Sequence, residues 1–215
     1  NALYYAIEDF SVRDYTGGFE DVQARLMKLI GDPEQRYRED PVRMLRAVRL
    51  AGKLGFQIEE KTAAPIPQLA NLLNEAAPAR LFEEVLKLFL GGHGVASFEG
   101  LERYGLFDVM FPESGKALRS NRSGALRRML IEGLANTDQR VANDEPVSPA
   151  FLFALLLWPA YCRSLMALQA RGMHTAEAQR RAADQVTLHQ LRPQDTAVFD
   201  GLGLQPGPIT VTAKG

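Results

Sequence analysis

Cysteine is almost absent. The 215 residues include one, Cys162, which excludes a disulfide framework and a cysteine-rich zinc site and fits a reducing cytoplasm. The three histidines, His93, His174 and His189, are scattered without ligand spacing. Net charge is nearly absent too, at -1, which argues against a uniformly basic nucleic-acid binder but leaves room for a local basic stripe. With 46% apolar and 24% charged residues, the chain is no disordered polymer. Long apolar runs are missing: Ala150 to Trp158 stops at Pro159, well short of the ~18 residues that a membrane span needs. The start, Asn1-Ala2-Leu3, lacks the basic region of a signal peptide. A first residue other than Met predicts either processing or a piece of something longer. There is no phosphate-cradling glycine loop, serine triad or zincin motif, and no internal repeat.

What is present is mostly helical. Strand character is confined to the front, in Leu3 to Ile7, Phe10 to Val12 and the short run Leu26 to Ile30. So few strands predict that a larger sheet lies upstream. Asp40-Pro41 reads as an N-cap followed by proline in the first turn. Met44, Leu45, Val48 and Ala51 then recur at helical spacing up to Gly55, a left-handed stop followed by Phe56. Further helices are expected over 65–74, from Pro78 to about Phe89, over 95–104, over 125–134, from Ser148-Pro149 onward, and from Thr175 to about His189. The polar stretch Pro112 to Gly124 reads as a mobile connection. Gly201, Gly203, Pro206, Gly207 and Pro208 make 191–215 irregular.

The densest charged segment runs from Arg36 to Arg49, with Lys53 one turn on. A helix start sets Asp40 and Arg43 side by side. One offers only acceptors and the other only donors, which matches the edge of a nucleobase. Arg46, Arg49 and Lys53 extend the charge where phosphates would be welcome. The plainer reading is a capping aspartate, a local ion pair and a solvated face. Against it, arginines crowded into the first turns of a helix oppose its dipole unless an anion is bound. Asp14 to Asp21, with Gly17-Gly18, reads as a hairpin turn, although Asp14, Glu20 and Asp21 are chemically able to hold a cation. Arg80, Glu83, Glu84 and Lys87 read as an intrahelical ladder. Cys162 has no recognisable base beside it. Tyr4, Tyr5, Tyr37, Phe56 and Trp158 are of a type that stacks on bases, but aromatics at such spacing mostly belong to a core.

Several of these stretches resemble, in order and spacing, the class II nucleotidyltransferases, the bacterial poly(A) polymerases and CCA-adding enzymes. Asn1-Ala2-Leu3 is similar to the end of one family motif, and Asp14 to Asp21 to the next. Ile30 to Pro33 and Arg36 to Arg49 are similar to the nucleotide-selecting motif. Ala79 to Lys87, Asn136 to Arg140 and Pro149 to Ala154 resemble the poly(A) polymerase branch. The resemblance covers about 1–189; the tail departs from it.

The resemblance implies a mainly α fold: helical neck and body domains behind a short β-containing remnant of a nucleotidyltransferase head. The implied divisions are 1–30 (head remnant), 31–111 (neck), 112–190 (body) and 191–215 (tail). It further implies that Asp40 and Arg43 read the adenine edge, that Arg46 belongs to the ATP site, that Glu39 holds this arrangement, and that Arg49 and Lys53 contact RNA. ATP would be the substrate, RNA 3′ ends the partner and Mg2+ the metal, its carboxylates expected upstream with none here. The implied activity is adenylate addition in the cytoplasm by the whole protein, with this chain inactive alone. A CCA-adding enzyme and a non-catalytic helical RNA-binding adaptor are the alternatives.

Overall fold

Aromatic and β-branched residues at the front pair as a hairpin. Leu3–Ala6 (β1) lies antiparallel to Ser11–Asp14 (β2), with Leu3 opposite Asp14 and Ala6 opposite Ser11. The computed structural model describes residues 3–190; the irregular tail expected over 191–215 lies outside them. Both sides of the hairpin are apolar and open, and Tyr4, Tyr5, Ile7, Phe10 and Val12 are all more than half exposed. A short helix, Gly18–Gln23 (α1), follows Gly17, whose φ of 73° is left-handed and costs glycine nothing. Leu26–Met27 (β3) then pairs in parallel with Gln57–Ile58 (β4).

Helices make up the remainder. Pro33–Glu39 (α2) and Val42–Leu54 (α3) meet at an elbow, and Glu60–Ala63 (α4) and Ile66–Leu69 (α5) lead into a 3₁₀ turn over Ala70–Glu75. The single helix expected over 65–74 is thus broken. Pro78–Phe89 (α6) and Gly94–Arg103 (α7) follow as the pattern predicts, and Leu106–Met110 (α8) is a short helix that it does not predict. Pro112–Ser120 (α9) corrects the expected mobile connection. Its small polar residues are not loop formers here. Ser114, Gly115 and Ala117 are buried, and the Ser114 hydroxyl donates to the Leu156 carbonyl at 2.8 Å, so small side chains let two helices approach closely.

Ala125–Ala142 (α10), Pro149–Ala170 (α11) and Thr175–Gln190 (α12) complete the chain as described. By length and composition α11 could cross a membrane, but a third of its apolar window is buried and it packs on α9 and α12. One core cluster joins Tyr37 and the α3 residues Met44, Leu45 and Val48 to Phe89, Phe98, Leu101, Phe107, Leu130, Leu134, Leu152 and Leu156. Phe82 stacks on Phe153 at 5.5 Å, tying α6 to α11. A smaller cluster of Leu168, Ala178 and Ala182 seats α12.

The crossing of α3 and α7 depends on glycine. A Cβ on Gly100 would stand 2.6 Å from Cγ1 of Val48, a buried β-branched side chain with little rotamer freedom. Gly100→Ala is therefore expected to destabilise the fold by about 1–3 kcal/mol, as overpacking does. Thermal unfolding checks it.

Candidate nucleotide-reading site

The elbow between α2 and α3 gathers the charges. Asp32 starts α2 by accepting from the Gln35 amide at 2.8 Å, and Tyr37 anchors it. That side chain is wholly buried; its hydroxyl donates to the Thr62 carbonyl at 3.0 Å, and burial raises its pKa. Tyr37 is thus a core residue rather than a stacking platform. Asp40 closes α2, and its carboxylate accepts the Val42 amide of α3 at 3.3 Å. The expected cap is present, one residue displaced, with Pro41 and not Asp40 at the boundary of α3. Val42, Met44, Leu45, Ala47 and Val48 face the core. Arg43, Arg46, Arg49 and Lys53, three, three and four residues apart, share the opposite side.

Two expectations about pairing are corrected. Asp40 and Arg43 reach the same elbow, but their side-chain hydrogen bonds go elsewhere. Arg43 donates through Nη1 to the Arg36 carbonyl at 2.8 Å and to Glu39 Oε2 at 3.1 Å. Asp40 instead takes Nη2 of Arg80, 3.0 Å from Oδ1 and 2.9 Å from Oδ2. Nor is α6 a self-contained ladder: only Lys87 and Glu83 pair along it, at 3.5 Å. Arg80 and Glu84, one turn apart, reach across to α3. Glu84 is buried, with Arg49 Nε at 2.5 Å and Arg46 Nε at 3.7 Å. Arg46 also stands 4.0 Å from Asp40. The chain of alternating charge is therefore Arg80, Asp40, Arg46, Glu84, Arg49.

The arginines divide between two helix ends. Arg36 and Arg38 end α2, where the dipole favours cations. Only arginines from Arg43 onward belong to α3.

Burial raises the pKa of Asp40. The Arg80 hydrogen bond and the charges of Arg80, Arg43 and Arg46 outweigh it, so the net shift is downward. Glu39 is lowered chiefly by the Arg43 hydrogen bond. Both carboxylates are anionic acceptors at neutral pH. Asp40 is only 15% exposed and Arg43 26%, so both edges are partly shielded from water. Lys53 is exposed near the end of α3.

The Asp14 segment is a turn and a helix start. Its carboxylate accepts the amides of Thr16, Gly18 and Phe19 at 2.9, 3.0 and 2.8 Å, which lowers its pKa to about 2. These bonds use the oxygens a cation would need. Their stabilising effect is present above the ordinary carboxylate value of 3.8 and lost as pH falls through about 2. An NMR titration is expected to show the Thr16, Gly18 and Phe19 amides moving together with that midpoint. Among the described residues no three His, Cys, Asp or Glu side chains converge as a metal site. Burial raises the pKa of the half-buried Cys162 thiol, opposite to an activated nucleophile.

Arg80 and Glu84 are the members that local reading assigned to a ladder within α6 instead of to this site. The signal was Glu84 itself, a charge on the apolar stripe of Leu81, Val85 and Leu88, which calls for a buried partner.

The chain is similar to proteins of known family. Residues 55–118 match the family described as "Probable RNA and SrmB- binding site of polymerase A". The chain is 52% identical over 158 residues to the Poly(A) polymerase I of Salmonella typhi, covering 74% of this chain and 34% of that protein. Over those residues the chain is a homologue of the bacterial poly(A) polymerases. A CCA-adding enzyme of Limosilactobacillus reuteri is 42% identical over 100 residues, covering 46% of this chain and 25% of that one. The solved structure of a "tRNA-processing enzyme (apo form 2)" shares the fold, with a TM-score of 0.56 at 19% identity over 82% of this chain and 50% of that chain. The chain spans about a third of the length of the curated poly(A) polymerases it matches. The family segment at 55–118 includes Arg80 and Glu84, while Asp40 and Arg43 lie before it.

Proposed function

We propose that this chain supplies base selection and RNA contact in a polynucleotide adenylyltransferase that adds AMP from ATP to RNA 3′ ends. The carrying observation is the elbow, where a carboxylate acceptor and a guanidinium donor stand together without being hydrogen-bonded to each other. In this reading Asp40 accepts from the adenine amino group and Arg43 donates to a ring nitrogen. Glu39 holds Arg43. Arg46 faces the triphosphate, and Arg49 and Lys53 face RNA, with Nε of Arg49 already committed to Glu84.

The reading divides the chain into a head remnant (1–30), a neck (31–111), a body (112–190) and a tail (191–215), neck and body sharing one core. The open apolar faces of the hairpin support its place at the edge of a larger catalytic head. Mg2+ is the metal expected for such chemistry. The described residues do not form a site for it, and the chain alone is expected to be inactive. In this reading the whole protein works in the cytoplasm.

The test is nucleotide incorporation at RNA 3′ ends by the full gene product. ATP-only incorporation supports the proposal. Added CTP incorporation favours the CCA-adding alternative, for which the 42% identity over 100 residues speaks. Absence of both, with RNA still bound, favours a non-catalytic adaptor.

A further inference from the structure

We propose that Arg80 is a specificity-determining positioning residue: pairing with Asp40, it keeps that carboxylate from neutralising Arg43 before a base arrives. This inference rests on the base-reading role proposed for Asp40 and Arg43.

Three guanidinium groups surround Asp40. By sequence Arg43 is the natural partner, three residues along a helix start. An Asp40–Arg43 pair would close both halves of the reader, each satisfying the other. The structure distributes them otherwise. Arg80 Nη2 sits between the two Asp40 oxygens at 3.0 and 2.9 Å, and Arg46 comes no nearer than 4.0 Å. Arg43 turns to Glu39 and to the Arg36 carbonyl. Each reader thus has its own holder, one from the neighbouring helix and one from its own elbow.

The holding is compatible with reading. Each carboxylate oxygen has two lone pairs; Oδ1 takes both Arg80 and the Val42 amide, whereas Oδ2 takes Arg80 alone and is able to accept again. The reach of Arg80 is set by the packing of α6 on α3. Glu84, one turn further along, locks the same interface through Arg49 and Arg46. Arg80 arrives from 40 positions away, so its placement is a property of the fold and not of the local chain.

Stability gives little reason for the pair. Arg80 is 48% exposed while Asp40 is 15% exposed, so water screens the Arg80 side of the pair, and Asp40 keeps Arg46 and the Val42 amide nearby when Arg80 is lost. Losing Arg80 should therefore spare the fold and free Asp40 to swing toward Arg43 and Arg46.

The experiment measures kcat/KM for ATP and for CTP in the full gene product, together with RNA affinity without nucleotide. It compares the wild type with Arg80→Ala, Arg80→Lys, Asp40→Ala and the exposed neighbour Glu83→Ala. Arg80→Ala is expected to lower the ATP-over-CTP preference about tenfold, the lower end of what one base-edge contact is worth. The loss should lie in KM for ATP, with kcat and RNA affinity unchanged. Arg80→Lys should restore part of it, and Glu83→Ala should match the wild type. An unchanged preference in Arg80→Ala, or an equal loss for both nucleotides with weakened RNA binding, would overturn the proposal. If Asp40→Ala abolishes the preference and Arg80→Ala keeps it, this inference alone fails. If the wild type shows no preference, the base-reading function fails and this falls with it.

Discussion

Phe98→Ala is expected to cost about 3–5 kcal/mol of folding stability. Phe98 is fully buried on α7, the helix that touches α3, α6, α8 and α10. Its ring meets Phe107 edge-on at 5.0 Å, Phe107 passes the contact to Phe111 at 5.3 Å, and the Arg127 guanidinium lies 5.8 Å from the Phe98 ring centre. Truncation removes transfer energy, leaves a cavity in a close-packed interior and breaks the aromatic run. Set against a typical total of about 5–15 kcal/mol, the loss is large. Urea unfolding should show a lower midpoint with an unchanged slope. A change below about 1 kcal/mol, the range of tolerated swaps, would mean that α7 is not the centre of the core.

Glu84→Ala is expected to have the next largest effect, about 2 kcal/mol. Removing one member of a buried pair commonly costs more, about 3–5 kcal/mol. Here Arg49 is 20% exposed and Arg46 45% exposed, so both have some access to water and the penalty is smaller. The replacement of both partners separates burial from charge. Glu84→Leu with Arg49→Met keeps the volume and removes the closer partner, leaving the half-exposed Arg46 beside Asp40, so it should be closer to the wild type than Glu84→Ala is. Equal losses in the single and double variants would show that the charge left on Arg49 is not what makes Glu84→Ala costly.

Local chemistry made some of this legible from the chain itself. The α3 pattern and its stop were readable because a helix writes its burial at 3.6-residue spacing and ends on a residue free to turn left-handed. Gly55 has φ 63°, and the Phe56 amide bonds the Ala51 carbonyl at 3.0 Å. The segment Arg36 to Arg49 stood out because so many charges rarely share one elbow. What stayed hidden was partner choice. Asp40 sits beside Arg43 in sequence and pairs with Arg80 in space, and no local rule ranks a neighbour three residues away against one that α6 brings back. Similarly, β3 and β4 contribute two residues each, too few to show alternation. The segment that forms α9 looked like a loop because Ser, Gly and Ala serve equally for turns and for close helix contacts.

The claim at the centre is that Asp40 and Arg43 select the base. Equilibrium binding of ATP and CTP by the full gene product, repeated with Asp40→Ala and with Arg43→Ala, addresses it most directly. The account predicts tighter binding of ATP than of CTP in the wild type and loss of that preference in both variants. Equal affinity in the wild type, or a preference that survives both substitutions, would contradict it.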